Sequence, residues 1–205
     1  MIGRELKRIL QKPTAFVCIV VYMGIMILGV ESDLRARYEI GVLNLFWVTE
    51  NFGVTIFIQT LIFPVAAAGN YFDERKGHYD WLIQMRSGQL RYCIAKIVSA
   101  VLGGIILYMI SVILFFAVCV IFIPEVRHGS TVESITNLFQ SKECFWYRMA
   151  LSIGYYPTVI VLAFQYSLHI GIYVLLGLCV SVFCTNRYVF YAMPFLLTRI
   201  GMYIG

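Results

Sequence analysis

The residues with the clearest chemical potential form a charged segment between two long apolar stretches. The segment reads Asp73-Glu74-Arg75-Lys76-Gly77, and further charged residues follow as far as Lys96. Carboxylates and cations in this density can bind a partner protein or cap a helix. A short polar turn would be enough to join two membrane spans, so we expect this longer segment to contact something soluble.

A second set of polar residues lies inside the apolar stretches, where such side chains are costly and face a protein interior or a cavity. They either line a substrate path or make hydrogen bonds between helices. His169 follows Gln165 by one helical turn, but one histidine without an acidic partner is a poor catalyst or metal ligand. No cluster of Cys and His has metal-ligand spacing, so we expect no metal site and no catalytic residues in this chain. The candidate path-lining residues are Gln59, Gln165, His169 and Arg199.

Composition places the chain in the membrane. Hydrophobic residues make up 60% of it and charged residues 13%, and the mean hydropathy is +0.82. A soluble domain needs more charged surface than this. We therefore predict an all-α polytopic membrane protein.

Runs of apolar residues are long enough to cross about 30 Å of hydrocarbon as helices. Five such spans are visible in one transmembrane domain of residues 1–205, and a sixth is expected if the chain is truncated at its C-terminus. The predicted spans are 14–30, 52–71, 94–123, 156–184 and 188–205.

The distribution of Lys and Arg along the chain predicts its orientation in the membrane. With the N-terminus in the cytoplasm, the cytoplasmic stretches hold about twice as many of them as the outer loops, as the positive-inside rule requires. The net charge of +5 is then explained by topology and by contact with anionic lipid, so no nucleic acid is expected. We expect a multi-pass protein of a bacterial plasma membrane, with residues 73–92 in the cytoplasm.

The first thirteen residues predict an amphipathic helix that ends at Pro13 and lies on the membrane surface. Its basic side would face either lipid phosphates or a protein partner. The apolar face is Ile2, Leu6, Ile9 and Leu10, and the opposite face carries Arg4, Lys7, Arg8 and Gln11.

A short helix is also predicted from Lys76 to Arg86, because apolar residues recur there at helical spacing. Gly88 would end the helix, and Asp73 and Glu74 would suit the positive end of its dipole. The side chains that it could present to a partner are Tyr79, Trp81, Leu82 and Met85.

This order of elements resembles the membrane subunit of type-2 ABC exporters. The resemblance is carried by Glu5-Leu6-Lys7-Arg8-Ile9-Leu10 with Lys12-Pro13, by the Phe72–Gly77 stretch, and by the later Arg91 and Lys96. It covers essentially the whole chain. Asn186, in the turn between the fourth and fifth spans, also looks like the family's pattern. Members of that family usually have six spans.

The resemblance implies that the N-terminal helix is the elbow helix and that the segment after the second span is the coupling helix. The implied elbow residues are Arg4, Glu5, Lys7 and Arg8. The implied contacts with an ATPase subunit are Asp73, Glu74, Arg75, Gly77, Tyr79, Trp81, Leu82, Met85 and Arg86. Because the sequence has no G-x-x-x-x-G-K-[ST] motif, a P-loop ATPase must be a separate chain, and ATP and Mg²⁺ would bind there.

The resemblance further implies a second permease chain, identical or different, so that two chains line the path of an exported substrate. Two other functions stay open at this point. One is a non-catalytic membrane scaffold or accessory subunit, which would use the charged segment for docking. The other is an intramembrane enzyme that uses Glu74 and Arg75 with His169, which the different depths of these residues disfavour.

Overall fold

Every regular element that the structure describes is an α-helix. The computed structural model describes residues 2–35, 42–51, 53–76, 85, 88–122, 145–183 and 186–204. In chain order the described helices are α1 (Ile2–Leu10), α2 (Pro13–Arg35), α3 (Val42–Asn51), α4 (Gly53–Lys76), α5 (Gln89–Phe122), α6 (Phe145–Ile153), α7 (Tyr155–Phe183) and α8 (Arg187–Ile204). The predicted all-helical fold is confirmed.

Four of these helices are long and apolar enough to cross a membrane: α2, α4, α5 and α7. They correspond to the first four predicted spans, and their length and composition support a helical membrane protein. Helix α8 covers the predicted fifth span, but its described apolar part, Tyr188–Leu197, is shorter than a span. The fifth span therefore stays a prediction.

Helix α4 is longer than predicted and includes the charged residues Asp73, Glu74 and Arg75 in its last turns. Helix α5 begins at Gln89, directly after Gly88, and it carries Arg91 and Lys96 into the predicted span that starts at 94, as the sequence predicts. The hydrogen bonds of a helix lie within its own backbone, so a helix can continue past the point where its side chains become polar. The charged residues beside each apolar run therefore mark where the surroundings become polar. They do not mark where these helices end.

The predicted helix from Lys76 to Arg86 falls largely outside the described residues. This also holds for its proposed partner-binding residues Gly77, Tyr79, Trp81, Leu82 and Arg86. Met85 is described, and its side chain is 69% exposed. Gly88 has a φ of 80°, the left-handed conformation that suits a glycine after a helix.

Two short helices lie where the sequence predicted outer loops. Helix α3 has a buried apolar face that includes Leu43 and Phe46. Helix α6 begins at Phe145 and ends before Gly154, whose φ is 103°.

The chain divides into two compact units. Unit 1 consists of Met1–Val20, Phe57–Tyr108 and Ser167–Gly205, and unit 2 of Val21–Ile56 and Met109–Tyr166. In unit 1, Phe72 of α4 stacks on Phe190 of α8 with a centroid distance of 5.1 Å. In unit 2, Phe46 of α3 lies edge-on to Tyr166 of α7 at 5.7 Å.

Candidate functional site

The candidate site is a charge cluster in unit 1, at the end of α4 and the start of α5. It comprises Glu5, Arg8 and Lys12 from the N-terminal segment, Asp73, Glu74 and Arg75 from α4, and Tyr92 and Lys96 from α5. Three consecutive residues of α4 each bind residues outside that helix. The charged stretch that the sequence assigned to a soluble partner is thus engaged within the protein.

Glu74 is the centre of the cluster, and its side chain is 4% exposed. Lys96 Nζ lies 2.9 Å from Oε1 and 2.8 Å from Oε2 of this carboxylate. The Tyr92 hydroxyl donates a hydrogen bond of 3.1 Å to Oε2, and the Arg8 guanidinium pairs with Oε1. Two cations and one hydroxyl therefore compensate a carboxylate that would be costly to bury alone.

Lys96 joins the same cluster to α1, because its ammonium group also pairs with Glu5. The Lys96 side chain is 6% exposed and that of Glu5 13%. Lys96 Nζ also lies 5.6 Å from the centroid of the Tyr92 ring, within the range of a cation–π contact. Together these contacts join α1, α4 and α5.

Helical spacing explains why these residues meet. Tyr92 and Lys96 are four residues apart and lie on one face of α5. Glu5 and Arg8 are three residues apart on one face of α1, and Lys12 follows in the next turn. Lys12 pairs with Asp73 at 3.6 Å. One face of the N-terminal segment therefore carries the charges that complement α4 and α5.

Arg75 caps a different helix. Its guanidinium donates a 2.7 Å hydrogen bond to the carbonyl oxygen of Ser181 and a second hydrogen bond to that of Val182. Both carbonyls belong to the last turn of α7, where backbone acceptors lack partners within the helix and a cation is favourable. Arg75 thus fastens the end of α7 to the end of α4.

The next helix begins with a polar cap. The Asn186 side-chain oxygen accepts a 2.9 Å hydrogen bond from the Tyr188 amide, and its carbonyl accepts one of 3.1 Å from Phe190. Asparagine is a favoured residue at this position. The contacts explain Asn186 as the N-cap of α8.

Helix α1 uses its faces differently from the predicted two-sided pattern. Ile9 is 2% exposed and packs at Gly103 of α5, where an added Cβ would lie 3.1 Å from the Ile9 Cγ2. Ile2 and Leu10, by contrast, are 38% and 36% exposed. Arg4, Lys7 and Arg8 are all exposed, but the Arg8 guanidinium pairs with Glu74, and Glu5 is mostly buried against Lys96. The amphipathic pattern correctly predicted a helix, but one side of it packs on protein.

Comparisons of this chain with protein-family models, with curated proteins and with solved structures yield no match.

The candidate path-lining residues have different environments. Gln59 of α4 is buried, whereas Gln165 and His169 both lie on an exposed side of α7. The side chain of Arg199 is outside the described part. Among the residues that the structure describes, His, Cys, Asp and Glu do not gather in groups of three or more that could hold a metal ion.

Sequence reasoning missed a second buried carboxylate, which lies in unit 2. Glu50 of α3 is 1% exposed, and its Oε1 accepts a 2.9 Å hydrogen bond from the Tyr22 hydroxyl. Tyr22 lies near the middle of Pro13–Val30, the apolar part of α2. Glu50 falls between the first two predicted spans, where an outer loop was expected. The signal in the sequence that could have indicated its burial was the largely apolar run of residues 42–48 just before it.

Proposed function

We propose that this chain is the membrane-spanning permease subunit of an ATP-driven exporter of the type-2 ABC class. Two such chains, identical or different, would line the substrate path, and separate P-loop ATPase subunits would bind on the cytoplasmic side. ATP and Mg²⁺ would bind in those subunits.

The charge cluster is the observation that carries this proposal. Helices α4 and α5 flank the segment 77–87, which is the candidate coupling segment. Their ends at this segment are joined to each other and to α1 through Glu74 and Lys96, and Arg75 adds the end of α7. A force applied to the segment would therefore reach four helices at once, as coupling to an ATPase requires.

Burial divides the residues of the candidate contact into two roles. Glu74 is buried within this chain, where it links helices through its ion pairs. It is not a direct contact of the ATPase. Asp73, at 48% exposure of its side chain, and Met85 are accessible to a partner. We place the contact surface at Met85 and the segment around it.

Two polar side chains on the largely apolar exposed side of α7 support a second permease chain. Gln165 and His169 lie on a helix that is apolar enough to span the membrane, and polar side chains on such helices generally face protein or water and not lipid. A second chain against this side would enclose both residues. They would then line the path between the two chains.

The test first asks whether a neighbouring gene encodes a P-loop ATPase, and then co-expresses that ATPase with the tagged full chain. We expect a complex that survives detergent extraction, and we expect the permease to alter the rate of ATP hydrolysis after reconstitution into vesicles. A complex that forms while hydrolysis stays unchanged would instead favour the scaffold function. Absence of any complex with the ATPase would overturn the proposal.

A further inference from the structure

Helix α1 lies at the level where α5 enters the apolar layer. Lys96 is the last charged residue of α5, and the helix then runs without a charge to Phe122. Because Glu5 pairs with Lys96, this part of α1 lies at the boundary between charged and apolar surroundings. Ile9 packs further along α5, at Gly103. The first two turns of α1 are therefore at the depth of lipid headgroups.

The surface of α1 has three sides. The first, with Glu5, Arg8 and Ile9, packs on α4 and α5. The second is apolar and partly exposed at Ile2 and Leu10. The third carries Arg4 and Lys7, whose side chains are exposed and make no ion pair or hydrogen bond within the described part of the chain.

We infer that Arg4 and Lys7 bind the phosphate groups of anionic phospholipids at this membrane surface. Two cations at headgroup depth complement phosphate, and the adjoining apolar side suits the upper part of the acyl chains. A soluble partner bound at Arg4 and Lys7 would not explain the exposed Ile2 and Leu10 beside them. Phospholipid contacts both sides of the helix at once, and this inference does not depend on the proposed transport function.

The structure also separates the cations that are paired within the chain from those that are not. Arg8 and Lys12 are the other basic residues of the N-terminal segment, and the carboxylates of Glu74 and Asp73 engage them. A count of basic residues in the sequence would have assigned all four to the lipid. In the structure, only Arg4 and Lys7 among these four have side chains without an ion pair within the described residues.

The experiment is native mass spectrometry of the full chain in detergent, with equimolar phosphatidylglycerol and phosphatidylcholine in competition. We expect the wild-type chain to prefer phosphatidylglycerol. Each of Arg4→Gln and Lys7→Gln should lower that preference about fivefold, which is the usual attraction of one basic residue to an anionic membrane surface. The double variant should lower it further and leave the midpoint of thermal unfolding unchanged.

Arg91→Gln is the matched control, because Arg91 is exposed on α5 and lies further than Lys96 from the apolar part of that helix. It should change the preference less than twofold. An equal loss in Arg91→Gln would reveal a diffuse charge effect and overturn the assignment to Arg4 and Lys7. Full preference for phosphatidylglycerol in the double variant would overturn it as well. If that variant also lost a soluble protein partner, Arg4 and Lys7 would bind that partner instead of lipid.

Discussion

At the scale of single residues, Asp73 and Glu74 show how neighbouring carboxylates acquire different roles. Asp73 is about half exposed and pairs with Lys12 at 3.6 Å, where water screens the charges. Glu74 is almost fully buried, with two cations and a tyrosine hydroxyl around it. Removing one member of a buried pair leaves an uncompensated charge in surroundings of low polarity.

We therefore predict that Glu74→Gln destabilises the protein by about 3 kcal/mol, because Arg8 and Lys96 lose their shared counter-charge. Asp73→Asn should cost less than about 1 kcal/mol. The free energy of unfolding of both variants can be measured by denaturant titration in mixed micelles. Equal losses in the two variants would contradict the role of Glu74 as the centre of the cluster.

The pair of Tyr22 and Glu50 gives a second prediction, for unit 2. Tyr22→Phe keeps the ring but removes the hydroxyl that donates to Glu50. A hydrogen bond to a charged group contributes about 1.5–3 kcal/mol, so we expect a loss of that size when Glu50 is ionised. Combining Tyr22→Phe with Glu50→Gln in a double-mutant cycle measures the coupling directly. Strictly additive losses would refute an interaction between the two side chains.

At the scale of elements, the helices of unit 1 approach each other closely at glycines. A Cβ added at Gly177 of α7 would lie 2.8 Å from the Cβ of Pro64 in α4. At Gly104 of α5 it would lie 2.6 Å from Val174 Cγ2 of α7. Small residues at such crossings let helices pack tightly without a hydrophobic driving force from water.

We predict that Gly177→Ala destabilises the protein by about 2 kcal/mol. The Cβ of Pro64 belongs to a rigid ring and cannot rotate away, so α4 and α7 must separate. Thermal unfolding in detergent would show the effect as a lower midpoint.

Gly69→Ala in α4 is the matched control, since nothing lies within 4 Å of a Cβ added there. Alanine is the better helix former, so this variant should be as stable as the wild type or more stable by up to about 1 kcal/mol. A similar loss of stability at both positions would show that the close approach of α7 to Pro64 is not the cause.

At the scale of the whole molecule, the cluster suggests how a permease could use different residues to bind the ATPase and to transmit its movement to the membrane helices. Accessible residues such as Met85 would make the contact with the ATPase, and the buried joint at Glu74 would carry the movement to the helices. Changing an accessible residue such as Met85 should lower the affinity for the ATPase. Changing Glu74 should lower the stability of the folded protein.

This division predicts that Met85→Ala lowers the affinity for the ATPase about tenfold, the size expected for an exposed side chain that becomes central in an interface. Its thermal unfolding should match that of the wild type, because Met85 is 69% exposed. Phe122→Ala is the control, at 77% exposure and at the opposite end of α5, and it should bind the ATPase normally. Co-purification at graded ATPase concentrations measures both affinities, and unchanged binding by Met85→Ala would remove that residue from the interface.

The sequence alone determined the class of the protein, the positions of four apolar helices and the presence of an amphipathic N-terminal helix. These features depend on the length, periodicity and polarity of continuous runs, which are local properties of the chain. The sequence also located the charged segment at residues 73–96.

Only the tertiary structure decided what those charges contact. Arg8 and Glu74 are 66 positions apart, and Tyr22 and Glu50 are 28 apart, so no local pattern pairs them. Arg75 was expected at a partner's surface, yet it caps a helix more than 100 positions later in the chain. The burial of a charge depends on which helices pack around it, and that packing is a property of the folded chain.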